Sequence, residues 1–261
     1  MLFRSIVTRF DFRAHDLDAV VFAELAVTGD PRPALRTLRD VLATAPRELT
    51  VTYSDVPAMD PSAPGGRSIG ACWVGRDTAA LRSALAPLLA LDSVTVNDIA
   101  VRDYADILLE HPQPEPGQQL PGFIGGNTLV RRLDDAFIDR LVDFRESTDA
   151  SVMLLRSLGG AYADVSPDAT AFAARDATWF AMAGGFDIPG LVDDAERARL
   201  AHAWQELEAL GVGVYGNFTT STDPSLPVRM YPPETMARLA EVKSRWDPRN
   251  LFARNHNVVP V

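Results

Sequence analysis

The sequence predicts an α+β fold, a largely antiparallel β-sheet covered by α-helices. Segments with the alternating pattern of half-buried strands come mostly in adjacent pairs. Single segments with apolar residues three and four apart separate those pairs. The strict strand–helix alternation of a doubly wound parallel sheet is missing. Taken in order, Ile6–Phe12 alternates with Phe10 and Phe12 on one face. Val20–Val27 follows a short polar link containing His15 and Asp16, so the two are expected to form a hairpin. Asp30-Pro31 starts a helix in which Leu35, Leu38, Val41 and Leu42 share a face. Leu49–Tyr53 and Ser68–Val74 are strands on either side of the Pro- and Gly-rich loop Pro57–Gly66. Asp77 caps the next helix, because a short carboxylate accepts a free amide of the first turn. Leu81, Leu85, Leu88 and Leu89 mark its buried side. Val94–Val101 is a strand, and a short helix through Tyr104–Glu110 follows.

The stretch His111–Gly122 holds four prolines and two glycines, which excludes a helix. Regular elements resume beyond it, so it is read as a long surface loop or lid within a single domain of residues 1–261. A helix at Asp134–Glu146, strands at Ser151–Leu158 and Ala177–Phe186, and a helix at Leu191–Leu210 come next. A strand at Val212–Phe218, a helix at Pro233–Trp246 and an irregular tail complete the chain. Gly159-Gly160 and Gly184-Gly185 are read as bulges or close-packing points in strand contexts.

Composition narrows the chemistry. In 261 residues, 35 acidic side chains against 25 basic ones give a net charge of −10, with 47% hydrophobic residues. That balance fits a globular protein and disfavours nucleic acid, whose phosphates need clustered cations. No apolar run reaches the roughly 18–20 residues of a membrane span, and the charged N-terminus lacks a signal-peptide core. A soluble, cytoplasmic protein with neither a membrane nor a nucleic-acid partner is expected. One cysteine, Cys72, excludes an internal disulfide framework, and the scattered histidines offer no metal-ligand spacing. No dinucleotide fingerprint, phosphate-binding loop or nucleophile elbow occurs. Schiff-base chemistry would rest on Lys243, the only lysine, which falls on a polar helix and so argues against it.

Several motifs resemble one family in order along the chain. Val214-Tyr215-Gly216-Asn217-Phe218, then Trp246-Asp247-Pro248-Arg249-Asn250-Leu251-Phe252, then Asn255-His256-Asn257 with Pro260, make a carboxy-terminal pattern over residues 212–261. It resembles the berberine-bridge-enzyme-like family of FAD-linked oxidases. Leu158-Gly159-Gly160-Ala161 and Asp168 through Arg175 resemble the middle section of that family, and Val7–Arg13 the strand that opens its substrate domain. The resemblance implies the fold of the family's substrate-binding domain. Because the chain lines up with that domain from its first strand, the flavin-binding half is expected to be absent and no cofactor to be bound.

The resemblance makes Tyr215 the leading catalytic candidate. A phenol can polarise a carbonyl as a neutral donor, whereas work as a base near neutral pH requires a cationic or hydrogen-bonding neighbour. The alternative is a strand tyrosine with a satisfied hydroxyl. Asn217, two residues on, would share the Tyr215 face and hold a substrate oxygen or tie down a loop. His256 carries an imidazole, the group most used for proton transfer, and is the second catalytic candidate. Arg175 could grip an anionic or carbonyl group, although Asp164, Asp168 and Asp176 suggest a local salt bridge. Trp73, Met153, Tyr162, Trp179 and Met182 lie on strands and could line an apolar pocket.

These features favour a flavin-independent enzyme of natural-product biosynthesis, a cyclase or isomerase that holds a reactive conformer while Tyr215 donates a hydrogen bond. The competing readings are the substrate-binding subunit of a split FAD-dependent oxidoreductase, whose flavin sits on a separate chain, and a non-catalytic ligand-binding protein. The face left by a missing half would be covered by a homodimer partner or carry polar residues.

Overall fold

A computed structural model describes residues 9, 11–12, 14–58, 65–108, 122–188, 190, 192–219, 221 and 223–261. In chain order the elements begin with β1 (Val20–Val27), α1 (Arg32–Leu42), β2 (Leu49–Val56) and β3 (Gly66–Val74). Then come α2 (Thr78–Ala84), α3 (Ala86–Leu89), β4 (Val94–Arg102), β5 (Gly122–Val130), α4 (Asp135–Glu146) and β6 (Ser151–Ser157). The last are β7 (Trp179–Asp187), α5 (Asp194–Glu208), α6 (Leu226–Met230) and α7 (Pro233–Trp246). The seven strands form one sheet in the order β4-β1-β3-β2-β6-β7-β5, and every pairing is antiparallel. The predicted α+β class holds.

The sheet is built twice from one plan. Strand–helix–strand–strand–helix runs from β1 through α2, and again from β5 through α5. Each copy places its first strand beside its third and its third beside its second, and the two second strands, β2 and β6, meet in the middle. In the first copy β4 completes the pattern beside β1. In the second, the segment after α5 approaches β5 at the matching edge but forms only one bridge, Leu129 to Gly213. That edge is where Tyr215 lies.

Helices α1 to α5 pack on one face. Val21, Ala23, Leu25, Val51, Tyr53, Ile69, Met153, Leu155, Trp179 and Ala181 point into a core with Leu35 and Leu38 of α1, Leu81 of α2 and Leu88 of α3. Phe137, Ile138 and Leu141 of α4 and Leu200, Trp204 and Leu207 of α5 complete it. Removing a Leu or Phe from water contributes ~1.5–3 kcal/mol, so this layer dominates stability. As predicted, Asp77 caps α2 by accepting from Ala80 N at 2.9 Å. Asp134 and Asp193 do the same for α4 and α5, at 2.9 and 2.8 Å. The alternate residues, among them Thr50, Thr52, Ser54, Leu154 and Arg156, lie on the opposite face of the sheet, which none of these helices covers.

Several expectations are corrected. Strand β1, expected to form a hairpin with Ile6–Phe12, is paired with β3 on one edge and β4 on the other. Most of Ile6–Phe12 and the predicted lid at 111–121 lie outside the described residues. Strand β5 was not expected. Its Gly-rich sequence carries no alternation, yet a Cβ at Gly126 would sit 3.2 Å from the Trp204 ring, so absence of side chain is what lets α5 approach. Gly185 is likewise a close-packing point, where a Cβ would sit 2.8 Å from Leu200. Val212–Phe218 is not a strand but the single bridge followed by a 3-10 turn over Gly216–Phe218. Lys243 is not a solvated residue of a polar helix. It is buried, with Nζ 2.7 Å from Asp247 Oδ2 and donating to Phe252 O at 2.8 Å, so it pins the end of α7 to the tail.

Candidate functional site

On the uncovered face, Leu129 of β5 and Phe180 of β7 seed a second apolar cluster with Leu154, Leu158, Phe172, Met182 and Tyr215. Beside it is a cavity of about 360 Å³, walled mainly by Tyr162, Phe172, Phe180, Tyr215 and Phe218 and reached by Arg156 and Arg175. The rings hold one another. Phe172 meets Tyr162 and Tyr215 edge-on at 5.7 Å in each case, Phe180 meets Phe218 at 5.2 Å, and Tyr215 stacks on Phe218 at 5.7 Å. Such pairs each add about 0.5–1.5 kcal/mol beyond area burial, so the pocket is a preformed apolar wall.

Tyr215 is held by a residue that sequence reasoning missed. Asn127 of β5 is buried, 1% exposed. Its Nδ2 donates to Tyr215 O at 3.0 Å and Phe218 O at 2.9 Å, and its Oδ1 accepts from Tyr215 N at 2.8 Å. A buried amide satisfied on both sides by one turn fixes that turn in place. The available signal was a polar residue within an otherwise apolar and glycine stretch, Phe123–Val130.

Asn217 does meet Tyr215, by another route than strand periodicity. The 3-10 turn swings its Nδ2 back to donate to the Tyr215 hydroxyl at 2.9 Å. His256 does not line the cavity; its Nε2 donates to Gly216 O at 3.1 Å, so it braces the same turn from the tail. Tyr162 is in the wall as expected. Its hydroxyl donates to Ala174 O, and burial pushes its pKa up to about 12 despite Arg175, so it remains a neutral phenol.

Arg175 makes no salt bridge with the nearby aspartates. Asp164 pairs with Arg47 and Asp176 with Arg131, while Asp168 accepts from Ser166. Instead the Arg175 guanidinium lies over the Phe172 and Tyr162 rings, 5.1 and 5.5 Å from their centroids. It donates to Phe172 O at 3.2 Å and Thr170 Oγ1 at 3.0 Å, which fastens the 162–175 segment. Trp73 and Met153 do not line the aromatic cavity, and Trp179 borders the larger groove instead. They occupy the alternate positions of their strands and pack into the helix-covered core.

A larger groove of about 750 Å³ lies at the end of the sheet between α1 and the β5–α4 connection. Three of its guanidinia are already matched, Arg39 by Asp135, Arg47 by Asp164 and Arg131 by Asp176, and the chemistry-bearing aromatic groups are elsewhere. Among the described residues no cluster of His, Cys, Asp or Glu could hold a metal, and no helix is long and apolar enough to cross a membrane.

The donor set fits the planar ring of a flavin. Tyr215 and Phe218 present stacked rings, with the Tyr215 hydroxyl and Asn217 amide beside them. Two amides of the same turn are engaged, Tyr215 N by Asn127 Oδ1 and Phe218 N by Tyr215 O at 3.1 Å.

A family profile described as berberine and berberine like matches residues 214–259, which contain Tyr215, Asn217 and His256. The chain is 28% identical over 127 residues to the FAD-linked oxidoreductase sorD of Penicillium rubens, covering 46% of this chain and 26% of that protein. It is 29% identical over 133 residues to the FAD-linked oxidoreductase tazG of Aspergillus terreus, covering 48% and 27%. The solved structure of Physcomitrella patens BBE-like 1 superposes with a TM-score of 0.76 at 18% identity, over 95% of this chain and 56% of that one. A chitooligosaccharide oxidase gives 0.74 at 18%, over 94% and 56%. The chain thus spans about half the length of these structures and aligns with about a quarter of the curated relatives. These relatives are FAD-linked, which overturns the expectation of no cofactor and removes the premise of a flavin-independent enzyme. The carboxy-terminal segment thus matches the berberine and berberine like family, and the chain has the fold of part of these oxidase structures.

Proposed function

We propose that this chain forms the substrate side of a FAD-linked oxidoreductase, with the aromatic cavity holding the substrate and the uncovered sheet face receiving a flavin-binding part. The observation that supports this reading most is the Tyr215 hydroxyl, poised by Asn217 at 2.9 Å within a wall of rings. Tyr215 and Phe218 would border the flavin ring, and bound FAD supplies the two-electron oxidation of a substrate carbon. Since its oxygen already accepts from Asn217, the Tyr215 phenol keeps its own proton for a substrate oxygen. It therefore acts as a neutral donor that stabilises negative charge developing there. Phe172, Phe180 and Tyr162 hold an unsaturated or aromatic substrate flat, and Arg175 keeps their loop closed. A natural-product intermediate of that kind fits the cavity better than a sugar, whose hydroxyls would face rings.

Aromatic-resonance NMR of the chain titrated with riboflavin tests the placement. Tyr215 and Phe218 signals are expected to shift, while Trp73 and Trp179, on the far side of the sheet, stay in place. Shifts confined to Trp73 and Trp179 would refute it.

A further inference from the structure

We propose that Arg156 is the specificity-determining cation of the aromatic cavity and selects planar unsaturated acids, binding their carboxylate while the rings hold the conjugated frame. The inference rests on reading that cavity as the substrate site. Arg156 projects from β6 onto the uncovered face, in register with Thr52 of β2 and Phe180 of β7. Its guanidinium lines the same cavity as Arg175, but the two are in opposite states. Arg175 is stacked on two rings and bonded to Phe172 O and Thr170 Oγ1, which leaves it a fastener of the loop. Arg156 is exposed and, among the described residues, its side chain makes no hydrogen bond or ion pair.

Arg82, Arg132, Arg249 and Arg254 share that state, but of these arginines only Arg156 lines the aromatic cavity. Nearby Arg47 and Arg131 each have an aspartate, Asp164 and Asp176. The flanking positions on the Arg156 face are a threonine and a phenylalanine, so neither neighbouring strand offers a carboxylate in register. The guanidinium therefore keeps its fork of donors for a ligand, and a carboxylate matches that fork with two parallel bonds. A neutral ligand of the same shape gains only the contact with the rings.

Binding of 2-naphthoate and 2-naphthamide to the 261-residue chain, measured by isothermal titration, separates the two contributions. The acid is expected to bind about tenfold more tightly than the amide, as for a hydrogen-bonded charge pair. That preference should fall below about twofold in Arg156→Gln and weaken in raised salt. It should persist in Arg140→Gln, whose pair with Glu206 lies on the helical layer, 2.8 Å apart. Equal binding of acid and amide, or a preference surviving in Arg156→Gln, would overturn the role of Arg156 and leave the cavity as substrate site. Failure of both probes to bind would overturn the proposal together with that reading of the cavity.

Discussion

Asn127 and Tyr215 are joined by two hydrogen bonds in opposite directions, Nδ2 to the Tyr215 carbonyl at 3.0 Å and the Tyr215 amide to Oδ1 at 2.8 Å. A third, to Phe218 O at 2.9 Å, closes the turn. This clamp replaces the strand pairing that the second half of the sheet lacks beyond Gly213. Asn127→Ala leaves Tyr215 N and Phe218 O without partners, while Tyr215 O keeps only Phe218 N, and is expected to cost about 2–4 kcal/mol in urea unfolding. Asn127→Asp keeps the acceptor but turns a carboxylate oxygen toward the Tyr215 and Phe218 carbonyls in a buried site, and should cost at least as much as the alanine variant.

Tyr215→Phe separates chemistry from stability. The hydroxyl meets only the exposed Asn217 amide, so unfolding should change by less than about 1 kcal/mol. Turnover of an identified substrate should drop about 100-fold or more if the phenol donates to reacting oxygen. Asn217→Ala should give a smaller drop, because it orients the phenol without replacing it.

The buried Asp55 carboxylate, 2% exposed, lies 2.7 Å from Arg67 Nε and 2.8 Å from Arg145 Nε. Asp55→Ala strands two part-buried guanidinia and should destabilise by about 3–5 kcal/mol. Nearby Tyr53 is fully buried with no partner for its hydroxyl, and burial raises its pKa first, with Asp55 adding to the effect. Tyr53→Phe removes an unsatisfied polar group, so equal or slightly greater stability, by up to about 1 kcal/mol, is expected in the same assay.

Acid stability has a defined window at the end of α7. Burial alone would raise the Asp247 pKa, but Lys243 and the amides of Phe252 and Leu251 outweigh it and bring it to about 2. A carboxyl with a folded pKa below its ordinary 3.8 stabilises fully above that value and loses the contribution as pH falls toward 2. Lys243→Met should lower Tm at pH 7 by about 6 °C or more, since it leaves a buried carboxylate alone. The gap from the native chain should narrow between pH 4 and 2 when melting is followed by circular dichroism.

The covered face of the sheet was legible because alternation and helical spacing both report a single buried side. Leu35 and Leu38, or Leu81 and Leu88, therefore lie where their spacing places them. Alternation does not say which of two faces the helices cover. Trp73, Met153 and Trp179 fell on the wrong side for that reason, whereas Phe180 and Leu129, one residue out of phase with Trp179 and Val130, reach the cavity. Strand β5 escaped notice because Gly125 and Gly126 give it neither alternation nor bulk. The Tyr215–Asn217 contact was expected for a strand and is made by a turn, since Gly216 lets the chain fold back under Met230 and His256. The cofactor of the relatives lay beyond composition altogether, because the groups that would face a flavin ring in the proposed reading are ordinary aromatic residues.

The most direct test is a fluorescence titration of riboflavin and of FAD with the 261-residue chain and its Phe218→Ala variant. With contacts to the flavin ring alone, both should be quenched saturably with affinities within about threefold of each other, and the variant should weaken both. FAD bound far more tightly than riboflavin would place a pyrophosphate cradle in this chain, and quenching unaffected by Phe218→Ala would remove the flavin from the Tyr215 face; either contradicts the account.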